Sequence, residues 1–263
     1  MAATKLHVPH VGFLVFILEK GRTVEDHYVL EKFAWITAVI EAFSKHKPRF
    51  YKIREDPAKI MQVGGWESVE QHYRDFHGSP RMRSILSEFG EVLDIRSNWH
   101  ADIPFNEVWL DAPTLTLGRF YVLNAKRREF AAALPEWVAG ISKRCGTKAI
   151  AGWRCDGGWH DQDDAADDLA EYRDKLPQMH PQGAEDLDDT IEWDILLPWS
   201  SIEKWKQVTG NRESMMPFFD LMKYVAKIEI LHLDPMELPP VDSDRDDEDE
   251  DDEYDTGDSD DEG

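Results

Sequence analysis

One five-residue phrase occurs twice in this chain. Trp66-Glu-Ser-Val-Glu and Trp199-Ser-Ser-Ile-Glu stand 133 positions apart. Each phrase closes an apolar run with Trp, then offers a Ser that caps a helix, then Val or Ile and Glu. A repeat at that distance constrains the chain to two related units of about 110–130 residues, each with a strand-to-helix turn at the same place.

The pattern around each copy extends the match. Val11–Leu18 is apolar on both alternating faces and reads as a strand buried on two sides. Thr23 or Asp26 opens a helix, whose inner stripe is Val29, Phe33, Ile36, Ile40 and Phe43, and Pro48 stops it. Arg49–Asp56 and Lys59–Trp66 read as strands. Ser68 with Gln71 forms a capping box for a helix with Val69, Tyr73 and Phe76 inside. Arg81–Phe89 continues helically, and Glu91–Arg96 is a fourth strand. The second half repeats this order: strand Leu115–Leu123, helix Glu129–Ser142, strands Lys148–Cys155 and Thr190–Trp199, a helix capped by Ser200 or Ser201, a helical stretch from Pro217 to Tyr224, and strand Ala226–Leu233. Ser97–Thr114 reads as the joint between them.

Charge is unevenly placed. The formal total is −23, of which −14 falls in Val241–Gly263 and −10 in Asp156–Asp189, so the remainder sums to +1. The acidic tail lacks the apolar area to fold; the insertion contains one short helical pattern, Ala165–Leu176, which Asp161 or Asp163 would cap. A net negative chain repels phosphate backbones, which argues against nucleic acid as the partner. No apolar run approaches the roughly 20 residues that span a bilayer, so no membrane association is expected. Two cysteines, Cys145 and Cys155, read as reduced thiols. A cytoplasmic or nucleocytoplasmic protein is the expectation.

A strand-helix-strand-strand-helix-strand unit is ferredoxin-like. Strand three ending in Gly64-Gly-Trp66, followed by Glu-Ser-Val-Glu-Gln-His-Tyr and then Phe76-His-Gly-Ser-Pro80, resembles the antibiotic-biosynthesis-monooxygenase-like family of dimeric α/β-barrel proteins. The resemblance covers about residues 10–100 well and 115–234 less closely. It implies an α+β fold in which two ferredoxin-like units pack their sheets into one barrel with helices outside. Because both units lie in one chain, a monomeric pseudo-dimer is expected. The units span residues 1–103 and 104–238, the second with the acidic insertion 156–189, and a disordered acidic tail occupies 239–263.

The family's reactions include cofactor-free oxidation of aromatic polyketides and heme degradation, and fold does not select among them. The heme-degrading members use an Asn on strand one and a His late in the second helix. Here strand one has no Asn and the helical position falls near Ile85, so heme is not expected, nor any other cofactor. The cofactor-free oxidases use Asn, Trp and Tyr around a pocket. Trp66 and Tyr73 match, and Gln62 stands where an Asn would.

Two classes of function follow. In the first, the barrel binds a small aromatic or apolar molecule, and if it is an enzyme it is a cofactor-independent oxygenase. His72 would be the base and Tyr73 the hydroxyl partner, since imidazole titrates near neutral pH. Gln62, Trp66, Trp153, Trp193 and Trp199 would line the ligand space, or, in the plainer alternative, pack the core and its rim. In the second class the barrel is a non-catalytic scaffold and its acidic segments bind a basic protein. No metal site is expected. On a regular α-helix His72 and His77 point about 140° apart, and the Asp161–Asp168 run lacks the Gly and Glu of a calcium loop.

Overall fold

The computed structural model describes residues 8–19, 21–90, 92–156, 187, 189–211 and 220–241. The Ala165–Leu176 helix, the Asp161–Asp168 run, the Pro217 region and the tail beyond Val241 lie outside the described residues.

Among the described residues eight strands and four α-helices follow one another along the chain. The first half contains β1 (His10–Leu18), α1 (His27–Ser44), β2 (Arg49–Ile53), β3 (Lys59–Trp66), a π-helical turn (Gln71–Phe76), α2 (Pro80–Phe89) and β4 (Leu93–Pro104). The second contains β5 (Thr114–Leu123), α3 (Arg127–Cys145), β6 (Ile150–Trp153), β7 (Thr190–Trp199), α4 (Ile202–Thr209) and β8 (Val225–Pro235). Helix starts follow the capping side chains. Asp26 accepts from the Tyr28 amide, Ser79 from Met82 and Ser201 from Lys204, each satisfying a donor the first turn leaves open. Gly146, with φ 69°, ends α3 in the left-handed region.

All eight strands form one antiparallel sheet in the order β4-β1-β3-β2-β8-β5-β7-β6. The order inside the first half, 4-1-3-2, is the order inside the second, 8-5-7-6. The register agrees too: Trp66 pairs with His10, and Trp199 with Thr114. The halves meet at two seams. At one, β2 pairs β8 over Tyr51–Ile53. At the other, Ala101 bridges Arg154 and the Cys155 amide donates to the His100 carbonyl at 2.9 Å, which brings β6 round to β4 and closes a barrel. Gly152 is required there, because a Cβ would run into the Asp102 carbonyl.

Period-two alternation explains why β1 is apolar throughout. Val11, Phe13 and Val15 point into the barrel; Leu14, Phe16 and Leu18 point out under the helices. Val29, Phe33, Ile36 and Ile40 of α1 and Met82, Ile85 and Phe89 of α2 cover the outer face of the first half. Phe130 and Trp137 of α3 and Val208 of α4 cover the second. Each such side chain contributes roughly 1.5–3 kcal/mol on burial.

The sequence suggests a ligand space inside the barrel. Among the described residues that space is instead packed: Phe13 stacks on Trp99 with centroids 5.0 Å apart, and Tyr51, Met61, Val63, Leu115, Leu117 and Leu196 fill around them. Further along, the inner face carries a buried ion network. Arg119 reaches Glu192 at 2.6 Å and Glu229 at 3.2 Å and lies 3.9 Å over the Trp99 ring. Arg154 bridges Glu192 and Asp156. Trp99 Nε1 donates to Asp194, whose other oxygen has no hydrogen-bond partner and lies 3.8 Å from Arg119 Nε. Burial, with Glu192 nearby, pushes the Asp194 carboxyl well above its ordinary range.

Two element boundaries differ from expectation in ways that matter below. The fourth strand runs on to Pro104, so Asn98, Trp99 and His100 belong to a strand and not to the joint. Its outer face carries Asn98 and His100, whose polarity reads as a joint, and only the inner alternation of Trp99, Ala101 and Ile103 marks it as a strand. The helix after Trp66 is not regular. Over Gln71–Phe76 it widens to i→i+5 bonding, and the His77 amide donates to the His72 carbonyl at 3.1 Å. The 140° separation of His72 and His77 is thereby removed: their rings lie 4.6 Å apart, edge to face.

Candidate functional site

The outer face of the first half, under the π-helical turn, holds a buried polar cluster. Gly12 of β1 pairs with Gly64 of β3 and with His100 of β4, so the sheet there has a floor without side chains. The Trp66 indole lies across it; a Cβ on Gly12 would come within 2.7 Å of Trp66 Cδ1. His72 stacks on that indole at 3.8 Å, and its Nδ1 lies 2.9 Å from His100 Nε2, one nitrogen carrying the shared proton. Tyr73 donates its hydroxyl to Asp156 Oδ2 at 3.0 Å. Asp156 belongs to the second half, following β6, and is itself held by Arg154.

Electrostatics keeps this cluster uncharged apart from the Arg154–Asp156 pair. Burial, helped by His77 and His100, holds His72 well below the usual imidazole range. Burial likewise brings His100 down to about 3, against the pull of Asp156. Burial and the Asp156 charge push the Tyr73 hydroxyl well above 10, so it stays a donor. Gln62 Oε1, Trp66 Nε1, both polar atoms of the Asn98 amide and His100 Nδ1 are buried without a partner.

The equivalent place in the second half has a different character. Between the outer face of β5, β7 and β8 and the helices α3 and α4 lies a cavity of about 70 Å³, open at one side. Phe120, Trp137, Leu197, Trp199 and Trp205 give it aromatic and aliphatic walls, with Thr116, Thr209 and Arg144 as polar members. Ile230, 41% exposed, marks its mouth. Trp199 Nε1 donates to Thr116 Oγ1 at 2.9 Å. Thr116 occupies the position Gly12 holds in the first half, which is why the same indole nitrogen is satisfied in one half and orphaned in the other.

The structure thus divides the residues expected to form one ligand space. Gln62, Trp66, His72 and Tyr73 come together under the π-helical turn, outside the barrel. Trp199 lines the cavity of the second half. Trp193 packs against Phe120, Phe130 and Trp137, and Trp153 lies against Phe130 and under Arg127; neither is among the cavity's lining residues. Asn98, His100 and Asp156 join the first cluster without having been expected. One signal could have found His100: His232 lies 132 positions on, and each pairs in register with its half's first strand, at Gly12 and at Thr116. Among the described residues no group of three His, Cys, Asp or Glu is arranged to hold a metal ion. No described helix is long and apolar enough to cross a membrane.

No protein-family model matches the chain, and no curated protein matches it. Solved structures do. A candidate monooxygenase from Fusobacterium nucleatum subsp. nucleatum aligns over 88% of this chain and 94% of its own, with a TM-score of 0.56 at 10% identity. A protein described as anthrone oxidase-like aligns over 87% and 92%, with a TM-score of 0.53 at 12% identity. A candidate chlorite dismutase aligns over 87% and 95%, with a TM-score of 0.51 at 9% identity. At these identities the likeness is one of fold: this chain has the ferredoxin-like α/β-barrel architecture of those proteins.

Proposed function

We propose that the protein binds a small apolar or aromatic molecule in the cavity between β5, β7, β8 and the helices α3 and α4. The observation that carries this reading is the cavity itself, with indole and phenyl walls, few polar groups and an open mouth. Its volume of about 70 Å³ is about half the ~150 Å³ of an apolar cavity known to admit benzene. The fitting ligand is therefore a single ring, part of which occupies the mouth beside Ile230. The test is calorimetric titration of the full chain with toluene, phenol and pyrrole, repeated on Ile141→Trp, which fills the cavity from α3. Saturable binding lost in the filled variant is the expected result. A parent protein that binds none of the three rings sinks the reading.

A finer reading assigns the first half a cofactor-independent oxidation, with His72 as base and Tyr73 as hydroxyl partner. What supports it is the grouping of the side chains: the His72 ring stacks beside Tyr73 at 5.3 Å, and the Tyr73 hydroxyl donates to Asp156. Oxygen uptake with anthrone, absent in His72→Ala and reduced in Tyr73→Phe, is the expected outcome. No uptake by the parent removes this reading and leaves the binding reading in place.

A further inference from the structure

Each half lends a carboxylate to the other. After β6, the Cys155 amide donates to the His100 carbonyl, and the next residue, Asp156, turns its side chain into the first half's cluster. After β2, the Arg54 amide donates to the His232 carbonyl, and the next residue, Glu55, turns to His232. The two arrangements occupy matching positions, and they differ in what is left over. In the first half His100 Nε2 is taken by His72 and its Nδ1 is orphaned. In the second half Glu55 takes Nδ1 of His232, and Nε2 is the buried atom without a partner.

Glu55 grips His232 at two points. One carboxylate oxygen accepts from the ring Nδ1–H, and the other accepts from the His232 backbone amide at 2.9 Å. Burial alone would raise the Glu55 carboxyl, but these hydrogen bonds outweigh it and hold the group below its ordinary range. An ionised carboxylate only accepts, so Nδ1 carries a proton, and it is in the Nδ1–H tautomer that Nε2 presents its lone pair. The ring adjoins the cavity from behind its wall and is not itself among the lining residues. His232 pairs in register with Thr116, lies two residues from Ile230 on the same strand face, and meets the Trp205 ring edge-on at 4.2 Å. Thr116, Ile230 and Trp205 all line the cavity. Trp205 stands where His72 stands in the first half, so the ring nitrogen that His72 engages there has an indole beside it here.

We propose that His232 Nε2, oriented by Glu55 from the other half, is the hydrogen-bond acceptor of the second-half cavity, and that its ligand is a single-ring aromatic bearing a hydroxyl or ring N–H. This rests on the binding reading above. The ligand's donor takes the place that the His72 ring nitrogen takes in the first half, the edge of half-buried Trp205 turning aside to admit it. Glu55 acts as a positioning residue, fixing the tautomer without touching the ligand.

The experiment compares phenol with toluene, its near-isostere lacking a donor, by calorimetry on the full chain. The parent should bind phenol about tenfold more tightly than toluene, the worth of one satisfied buried acceptor. His232→Phe should erase that preference with toluene affinity kept, and Glu55→Gln should shrink it. Equal affinity of the parent for both rings would overturn the assignment while sparing the binding reading. Failure of both rings to bind would overturn both. Should His232→Phe not fold, the ring 15N shifts of His232 in the parent decide. A Nε2 resonance that moves on phenol addition and stays fixed on toluene addition supports the proposal; one that ignores phenol, as when a water satisfies the nitrogen, refutes it.

Discussion

Mild acid should destabilise this protein, and Asp194 should conceal about half of the effect. His72 and His100 are buried and neutral, with folded-state pKa values below the ordinary 6.5, at about 3 for His100. In the unfolded chain both titrate near 6.5. Between pH 6.5 and 5.0 the unfolded state therefore binds two protons that the folded state refuses, and stability falls with pH. Each histidine contributes a loss of up to about 1.4 kcal/mol per pH unit, or roughly 2 kcal/mol at pH 5. Asp194 has the opposite sign. Its folded-state pKa is raised by burial and by Glu192, so where the folded state keeps a proton that the unfolded state releases, stability rises as pH falls. Two losses against one gain leave a net slope of about 1.4 kcal/mol per pH unit. Asp194→Asn removes the gain and should take the slope toward about 2.7 kcal/mol per pH unit, with the Trp99 hydrogen bond retained by the amide oxygen. Urea unfolding of parent and variant at pH 6.5, 6.0, 5.5 and 5.0 measures both slopes. Identical slopes would show that Asp194 is ionised in the folded state, and a flat profile in the variant would show that the histidines are not buried neutral.

Other expectations follow from single contacts. Gly12→Ala places a Cβ 2.7 Å from Trp66 Cδ1 and should cost about 1–3 kcal/mol by overpacking, read as a lowered thermal midpoint. Thr116→Val strips the acceptor from buried Trp199 Nε1 and should cost about 1–3 kcal/mol; an unchanged midpoint would mean the indole finds another partner. Arg119→Met takes the buried cation from Glu192 and Glu229, which keep Arg154 and Lys227, and should cost about 3 kcal/mol in urea unfolding. Because one chain supplies all eight strands, sedimentation equilibrium should return the single-chain mass of 30.4 kDa; a stable dimer would contradict that.

Much of the architecture is legible in the residues because strands buried on both faces and capped helix starts leave strong local signals. Lys59–Trp66 and Thr190–Trp199 have the same bounds in the pattern and in the structure. The grouping of Trp66, His72 and Tyr73 is legible for the same reason: they sit within about two helical turns of one strand end. The rest depends on contacts between distant parts of the chain. Asn98 and His100 sit at strand positions whose polarity mimics a loop; His72 meets the His100 ring from the helix above, while Tyr73 reaches only the Asn98 backbone carbonyl. The π-helical turn carries no distinguishing composition. Asp156 and Glu55 act across the seams between halves, where neither neighbour in sequence hints at the partner.

The narrowness of those seams has a consequence for how the chain folds. Within a half, β1 pairs its neighbours over nearly its whole length, and every such contact is made inside a stretch of about 95 residues. Between halves the strand pairing among the described residues is confined to the short β2–β8 ladder and the single β4–β6 bridge, and the shared inner core of Phe13, Trp99, Leu115, Leu117 and Leu196 is made only on closure. Loop closure disfavours distant pairings until local ones are in place. Each half should therefore collapse on its own, with barrel closure as the late event. Hydrogen exchange should follow that order. The amides of Cys155 and Arg54, which hold the two seams, should exchange through openings of lower free energy than those of β1 and β3, because the barrel can part along its seams without either half unfolding.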